Sequence, residues 1–149
     1  MTQHQSQPPL QPRLLGLDPG EARIGVAISD DLGMYAHPRP AIRTRSLSEA
    51  VRLVARLVSE EAIAEVVVGL PLTLSGQRGH QVESVRPFLE ALRAALSVPI
   101  REVDERFSSA QAVATKPGLG GKRDGTLDSE SAAVVLQGVL DSRRPRVPR

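Results

Sequence analysis

Apolar residues follow two different periods along the chain from residue 13 onward. Short runs that alternate with polar residues, or that stay apolar between turn signals, have the length and pattern of β-strands. The segment 64–69, AEVVVG, is continuously apolar, as is typical of a buried parallel strand. Five segments have strand character: 14–18, 23–29, 34–43, 64–69 and 98–103. Because Pro38 and Pro40 lack the backbone N–H that a ladder needs, we expect the third strand to lie at an edge.

Helical spacing marks three other segments. Ser46 and Glu49 have the spacing of a capping box, and the apolar stripe after them consists of Leu47, Val51, Val54 and Val58. A second helix is predicted over 82–96, where Pro87 should start, kink or split it. The last helix carries its apolar positions over 132–140. We also expect a loop over 70–79, a short helix over 108–115 and a mobile glycine-rich loop over 117–125.

The order of these elements predicts the fold class. Three strands joined by turns are followed by helix, strand, helix, strand and helix. Strands that alternate with helices favour an α/β domain, here a five-stranded mixed sheet with helices on both faces. Ligands of such sheets bind beyond the carboxyl ends of the parallel strands.

Composition and charge suggest one domain with two extensions. The chain has 149 residues, which suits a single core. We expect 1–12, which is polar and proline-rich, to be a disordered extension, 13–142 to be the folded domain and 143–149 to be a basic tail. The folded domain holds 15 basic and 17 acidic residues, a net charge of −2. The basic character therefore lies in the tail, and total charge gives only weak support for nucleic-acid binding.

Several classes of protein are disfavoured by what the sequence lacks. It has no Cys, which excludes disulfides and thiolate metal sites. No apolar run approaches the roughly 18 residues that cross a bilayer, and the first residues do not have the form of a secretory signal. We therefore expect a cytoplasmic protein that does not enter a membrane.

Carboxylates are predicted at the ends of several elements. Asp18 ends the first strand, Asp104 and Glu105 follow the fifth, and Asp128 lies at the start of the last helix. If the first and fifth strands are neighbours, these side chains converge at one end of the sheet. Clustered carboxylates repel one another unless a cation neutralises them, and all-oxygen ligands suit Mg²⁺ or Mn²⁺. Two such ions can activate water and stabilise the leaving oxygen in phosphodiester hydrolysis.

Other interpretations of the same carboxylates stay open. Adjacent strand residues point to opposite faces, so we prefer Glu105 as the ligand and keep Asp104 as a weaker candidate. Asp18, which precedes Pro and Gly, could instead be a turn residue. Asp128 could simply cap the last helix.

Polar side chains near the expected site are candidates for contacts with a nucleic-acid backbone. They are Arg23, Arg78, Arg106, Ser108, Lys122 and Arg123. For each loop residue among them, a solvated side chain without a ligand is an equally good interpretation.

Four motifs, in order, resemble those of the YqgF/RuvX family. The first is LDPGEARIGVA at 17–27, and the second is VGLP at 68–71, with a glycine soon after. The third is DERFSS at 104–109, and the fourth is LDSESA at 127–132, which continues into VVLQ at 134–137. Together they extend over about 13–141.

The resemblance implies a ribonuclease H-like fold related to Holliday junction resolvases. It further implies a nuclease that trims the small-subunit ribosomal RNA precursor, with Asp18, Glu105 and Asp128 on the family's catalytic carboxylates. Some members look like junction resolvases instead, which would require a homodimer for a two-fold junction. Three departures from the family pattern are Pro19, Pro87 and the Arg-rich tail, and none of them touches the acidic set.

Two further functions compete with metal-dependent cleavage. The same fold without turnover would give a non-catalytic nucleic-acid-binding module. An actin-like or sugar-kinase-like ATPase has a similar first motif, but such enzymes usually pair two of these domains and the chain supplies one.

Overall fold

The protein is described by a computed structural model over residues 11–20, 22–43, 45–70, 80–104 and 126–144. The strands are β1 (Arg13–Pro19), β2 (Arg23–Ser29), β3 (Ala36–Arg43), β4 (Ile63–Leu70) and β5 (Ile100–Asp104). The helices are α1 (Leu47–Glu60), α2 (His80–Ala95) and α3 (Thr126–Arg143). Residues 1–10 of the predicted extension, the predicted elements at 71–79, 108–115 and 117–125, and residues 145–149 of the tail lie outside the described part of the chain.

The five strands form one mixed sheet in the order β3-β2-β1-β4-β5. β1 pairs with β4, and β4 with β5, in parallel, whereas β2 is antiparallel to both of its neighbours. The predicted mixed sheet is confirmed, and β3 lies at an edge as its prolines required.

The assumption that the first and fifth strands are neighbours is wrong. The β1–β2 hairpin occupies one edge of β1, and β4 takes the other, so β5 can only add outside β4. Backbone positions on β1 and β5 are therefore separated by two strand spacings, roughly 10 Å.

Helices cover both faces of the sheet, as predicted. Alternate residues of β1 pack on opposite faces of the sheet. Leu15 and Leu17 pack with α1 and α2 in one layer, and Leu14 packs with α3 in the other. Leu15 and Leu17 have no exposed surface. Burying one such side chain is worth about 1.5–3 kcal/mol, so the two layers hold the sheet from opposite sides.

Helix α1 begins where the capping pattern placed it. The Ser46 hydroxyl accepts a hydrogen bond from the backbone N–H of Glu49 at 3.1 Å. In the predicted apolar stripe, Val51 and Val54 are buried, whereas 44% of the surface of Leu47 is exposed. Leu47 is the first residue of the helix, and the buried face begins only one turn later.

Pro87 lies inside α2 and neither starts nor splits it. Its side chain is exposed, so water can satisfy the carbonyl that loses its intrahelical partner. The opposite side of the helix carries the packing through Phe88, Leu89 and Leu92. Burial of these residues is what keeps the helix continuous past the proline.

The carboxyl-terminal end of α3 is tied to the sheet by an ion pair. Glu65 on β4 accepts hydrogen bonds from both terminal nitrogens of Arg143, at 2.8 and 3.1 Å, and one from Arg101 at 3.4 Å. The bonds from Arg143, more than any other contact, hold the pKa of the Glu65 carboxyl below its usual value.

We expect Glu65→Gln to lower the free energy of unfolding at neutral pH. Because the folded-state pKa is depressed, the carboxylate stabilises the fold above its unfolded pKa of about 4.3, and this contribution disappears as the pH falls through the folded value. Urea denaturation at pH 7 and at acid pH measures the difference. The control is Glu60→Gln, which removes an exposed pair with Arg56 and should change stability by less than about 1 kcal/mol. A Glu65→Gln effect independent of pH would contradict this account.

Candidate active site

Asp18 lies near the end of β1 on the face that α3 covers. Side chains alternate along a strand, and its neighbour Leu17 packs on the opposite face, with α1 and α2. Asp18 faces Gly25 of β2 in the antiparallel ladder. Facing residues of such a pair lie on the same side of the sheet, and because Gly25 has no side chain the backbone beside Asp18 is left uncovered on that side.

The start of α3 lies directly on Gly25. A Cβ at that position would overlap the backbone carbonyl of Asp128 and lie 2.8 Å from the nitrogen of Ser129. A second glycine, Gly16 of β1, supports the same helix further along, where a Cβ would lie 3.0 Å from Cβ of Leu136. The helix can therefore approach the sheet closely, and its first turn places Asp128 beside the Asp18–Gly25 pair.

Ser129 fixes that first turn to the sheet. Its hydroxyl accepts a hydrogen bond from the backbone N–H of Val26 at 3.1 Å, and the residue is only 2% exposed. The register of β2 against β3 shifts between Ile24 and Val26, which interrupts the ladder beside this N–H. Ser129 thus satisfies a backbone donor at a strand irregularity and orients the residue before it. The role of Ser129 was not predicted from the sequence, although a serine directly after an acidic residue in the first turn of a helix can indicate one.

The carboxyl group of Asp128 is half-buried, and this burial changes its pKa. Burial raises the pKa of Asp128, and the positive charge of Arg23 opposes the rise. Arg23 lies two residues before Gly25 on β2, hence on the same face of the sheet. Asp18 and Arg23 therefore lie on the same face at one end of the sheet, next to the first turn of α3, and Arg23 is close enough to Asp128 to affect its pKa. Such a group can hold a cation through its carboxylates and a phosphate through its guanidinium.

Asp104 does not join this group. It is the last residue of β5 and pairs with Leu70 of β4. Its neighbour Val103 packs in the layer with α3, so alternation puts Asp104 on the face of α1 and α2. Within the described ranges no three His, Cys, Asp or Glu side chains stand close enough to hold a metal ion. Six predicted site residues lie outside those ranges: Arg78, Glu105, Arg106, Ser108, Lys122 and Arg123.

A family described as RuvX, Holliday junction resolvase, matches residues 12–142. The chain belongs to the RuvX family. A relative from Chloroflexus aurantiacus is 42% identical over 134 residues, which are 88% of each chain. One from Synechococcus sp. is 44% identical over 133 residues, 87% of this chain and 78% of the relative. Both carry the name of a candidate pre-16S rRNA nuclease. The resemblance in the four motifs is thereby confirmed.

Solved structures show the same fold in resolvases. RuvC of T. thermophilus, solved with a Holliday junction substrate, has a TM-score of 0.60 at 13% identity and covers 89% of this chain and 96% of its own. The fowlpox virus resolvase with junction DNA has a TM-score of 0.50 at 13% identity, over 87% and 97% of the two chains. The ribonuclease H-like fold of this RuvX protein is confirmed, and its family is one of nucleases. None of the helices described is long and apolar enough to span a bilayer.

We expect Gly25→Ala to destabilise the protein by about 1–3 kcal/mol, because the added methyl group overlaps backbone rather than a movable side chain. The matched control is Gly138→Ala in α3, where a Cβ meets nothing within 4 Å. That change should stabilise the helix by about 0.5–1 kcal/mol. Thermal unfolding gives the change in stability of each variant. Equal changes for Gly25→Ala and Gly138→Ala would show that α3 does not need a glycine at position 25 to pack on the sheet.

Asp128→Asn should raise the unfolding temperature at pH 7 in metal-free buffer. The folded-state pKa of Asp128 is raised, so ionisation costs stability at neutral pH, and Asn avoids that cost. Acidification through the raised pKa protonates the wild-type carboxylate, so the difference should shrink. Unfolding temperatures at pH 7 and pH 4 test this, and a difference that grows on acidification would contradict it.

Proposed function

We propose that this RuvX protein is a metal-dependent nuclease that hydrolyses phosphodiester bonds in structured nucleic acid, with the 5′ end of the 16S rRNA precursor as its substrate. The observation that carries the proposal is that Gly25 faces Asp18 in the β1–β2 ladder and lies against the backbone of Asp128. These two residues are far apart in the sequence, one on the first strand and one on the last helix, and the fold brings both of them next to the same glycine. The names of its relatives support the choice of substrate.

The donor set fits Mg²⁺ or Mn²⁺. Asp18 and Asp128 offer only oxygen ligands, and burial raises the pKa of Asp128, so a bound cation would favour its ionised form. Divalent ions held there would supply an activated water and stabilise the leaving oxygen of the scissile phosphate. We propose Glu105 as the third carboxylate because strand alternation separates it from Asp104. Asp104 remains the weaker candidate.

Basic and polar side chains are proposed to hold the substrate. Arg23, beside the carboxylates, is placed to neutralise a phosphate at the reaction centre. Arg78, Arg106, Ser108, Lys122 and Arg123 are proposed to contact the nucleic-acid backbone. The nuclease domain is proposed to comprise residues 13–142, with an extension over 1–12 and a basic tail over 143–149, and the protein to act in the cytoplasm. Arg143, the first residue of that tail, is the last residue of α3 and pairs with Glu65, so the folded part extends at least to residue 143.

Cleavage of a four-way DNA junction is the second candidate. The likeness of the fold to RuvC, which was solved with such a junction, favours it. A junction has two strands to cut, so this function requires a homodimer with two active sites. Sedimentation of the protein with and without a junction separates the two candidates.

Asp18→Asn should abolish cleavage while the fold survives, because it removes one charge from the proposed metal site without changing shape. We expect a loss larger than the roughly 10–100-fold that follows removal of an outer-shell partner. Rates are measured on a 16S precursor fragment and on a four-way junction, with Mg²⁺ and Mn²⁺ separately. Glu90→Gln, an exposed change on α2, is the control and should retain full activity. Undiminished cleavage by Asp18→Asn would refute the proposal, and binding without cleavage by the wild type would favour a non-catalytic module.

A further inference from the structure

Arg43 and Arg23 face each other across neighbouring strands, at the end of the sheet that carries Asp18 and Asp128. Arg43 is the last residue of β3 and the Cα partner of Arg23 in the antiparallel ladder of β2 and β3. The Cβ atoms of facing residues in such a ladder lie about 4.5–5.5 Å apart, and like charges placed there repel each other. The pair therefore lowers the stability of the sheet, so the needs of the fold do not account for it.

An irregularity in β3 determines which face of the sheet Arg43 occupies. Between Arg39 and Ile42, β3 advances three residues while β2 advances two, so β3 contains one extra residue. Arg39 lies on the face of α1 and α2, because its partner on β2, Val26, packs there. Regular alternation would put Arg43 on that same face, four residues later. The extra residue shifts the alternation, so that Ile42 packs in the layer of α1 and α2 and Arg43 lies on the opposite face, with Arg23.

The guanidinium of Arg43 is accessible to a ligand. Its side chain is exposed, and among the residues that the structure describes no carboxylate forms an ion pair with it. Arg23, by contrast, is close enough to Asp128 to oppose the rise of its pKa. Arg43 is two strands away from Asp18 and about two residues further along the sheet, roughly 12 Å between backbone positions. Arg23 therefore lies between Arg43 and Asp18 on one face of the sheet.

We propose that Arg43 joins Arg23 in binding one phosphate of the substrate strand beside the reaction centre. The inference rests on the proposed function. Guanidinium groups bind phosphate through paired N–H donors, and a phosphate held between these two removes the repulsion that the pair otherwise creates. Successive phosphates of a strand are about 3.4 Å apart along the helix axis, so roughly 12 Å places this phosphate within about four nucleotides of the scissile one. Arg43 is thus a substrate-binding residue that helps to set which bond of the bound strand lies at the carboxylates.

The first measurement is the affinity for a fluorescein-labelled RNA hairpin that carries the 5′ end of the 16S precursor, by fluorescence anisotropy in EDTA so that no cleavage occurs. We expect Arg43→Ala to reduce the slope of log affinity against log salt by about 0.7–0.9, the contribution of one phosphate contact, and to weaken binding roughly five- to eightfold at 0.1 M salt. Arg43→Lys keeps the charge and should keep the slope. The matched control is Arg52→Ala, which removes the same charge from an exposed position on α1, on the other face of the sheet, and should change neither quantity.

A second measurement locates the phosphate. Phosphates of the cleaved strand are replaced one at a time by an uncharged methylphosphonate, and the affinity of each modified hairpin is measured with the wild type, Arg43→Ala and Arg52→Ala. We expect one position, within about four nucleotides of the cut, where the replacement weakens binding by the wild type and Arg52→Ala but not by Arg43→Ala. The two losses are then non-additive, as expected for groups in contact. A merely structural effect of Arg43→Ala would lower the affinity for every hairpin by the same factor.

Unchanged affinity and salt slope in Arg43→Ala, or an equal loss for every modified hairpin, overturns the inference. Self-association of Arg43→Ala with unchanged RNA binding overturns it too, because the charge would then act to keep other strands from pairing with the edge of β3. Cleavage of the unmodified hairpin by the wild type with Mg²⁺ is mapped in parallel. Its presence shows that only the Arg43 contact has failed. A wild type that cleaves neither the hairpin nor a four-way junction refutes the proposed function as well.

Discussion

The arrangement of the site depends on one contact, the backbone of Asp128 and Ser129 lying on Gly25 of β2. Any side chain at position 25 would lift the first turn of α3 away from the sheet. The buried hydrogen bond from Val26 to Ser129 would then be broken, and Asp128 would move away from Asp18. Packing of the last helix on β2 therefore also determines where Asp128 lies relative to Asp18. A side chain added at residue 25 should therefore lower the stability of the protein and also displace Asp128.

The cost of this arrangement is electrostatic. Burial raises the pKa of the half-buried Asp128 carboxyl group, so its ionised form at neutral pH lowers the stability of the folded state. Arg23 compensates only in part. The two apolar layers on either side of the sheet supply the stability that makes this tolerable, and a divalent cation would complete the compensation. Strain of this kind at a site is common where function, and not stability, determines the residue.

Local patterns predicted much of the fold, and tertiary relations account for the errors. The Ser46 cap, the edge position of β3 and the two covered faces follow from spacing and proline chemistry within short segments. Strand order does not, because it depends on which edge of β1 remains free after its hairpin forms. The continuity of α2 through Pro87 likewise depends on the side that the helix buries. Asp18 and Asp128 could be predicted as residues at the ends of their elements, but their common neighbour Gly25 could not, because it depends on the register of β1 against β2 and on where α3 packs.

Anomalous diffraction from crystals of the protein soaked with Mn²⁺ tests most directly whether Asp18 and Asp128 bind a metal ion together. If Asp18 and Asp128 share a metal site, an anomalous peak lies within coordination distance, about 2.0–2.6 Å, of carboxylate oxygens from both residues, under the first turn of α3. Manganese bound only elsewhere, or an Asp18 and an Asp128 whose carboxylates point away from each other across Gly25, would contradict it.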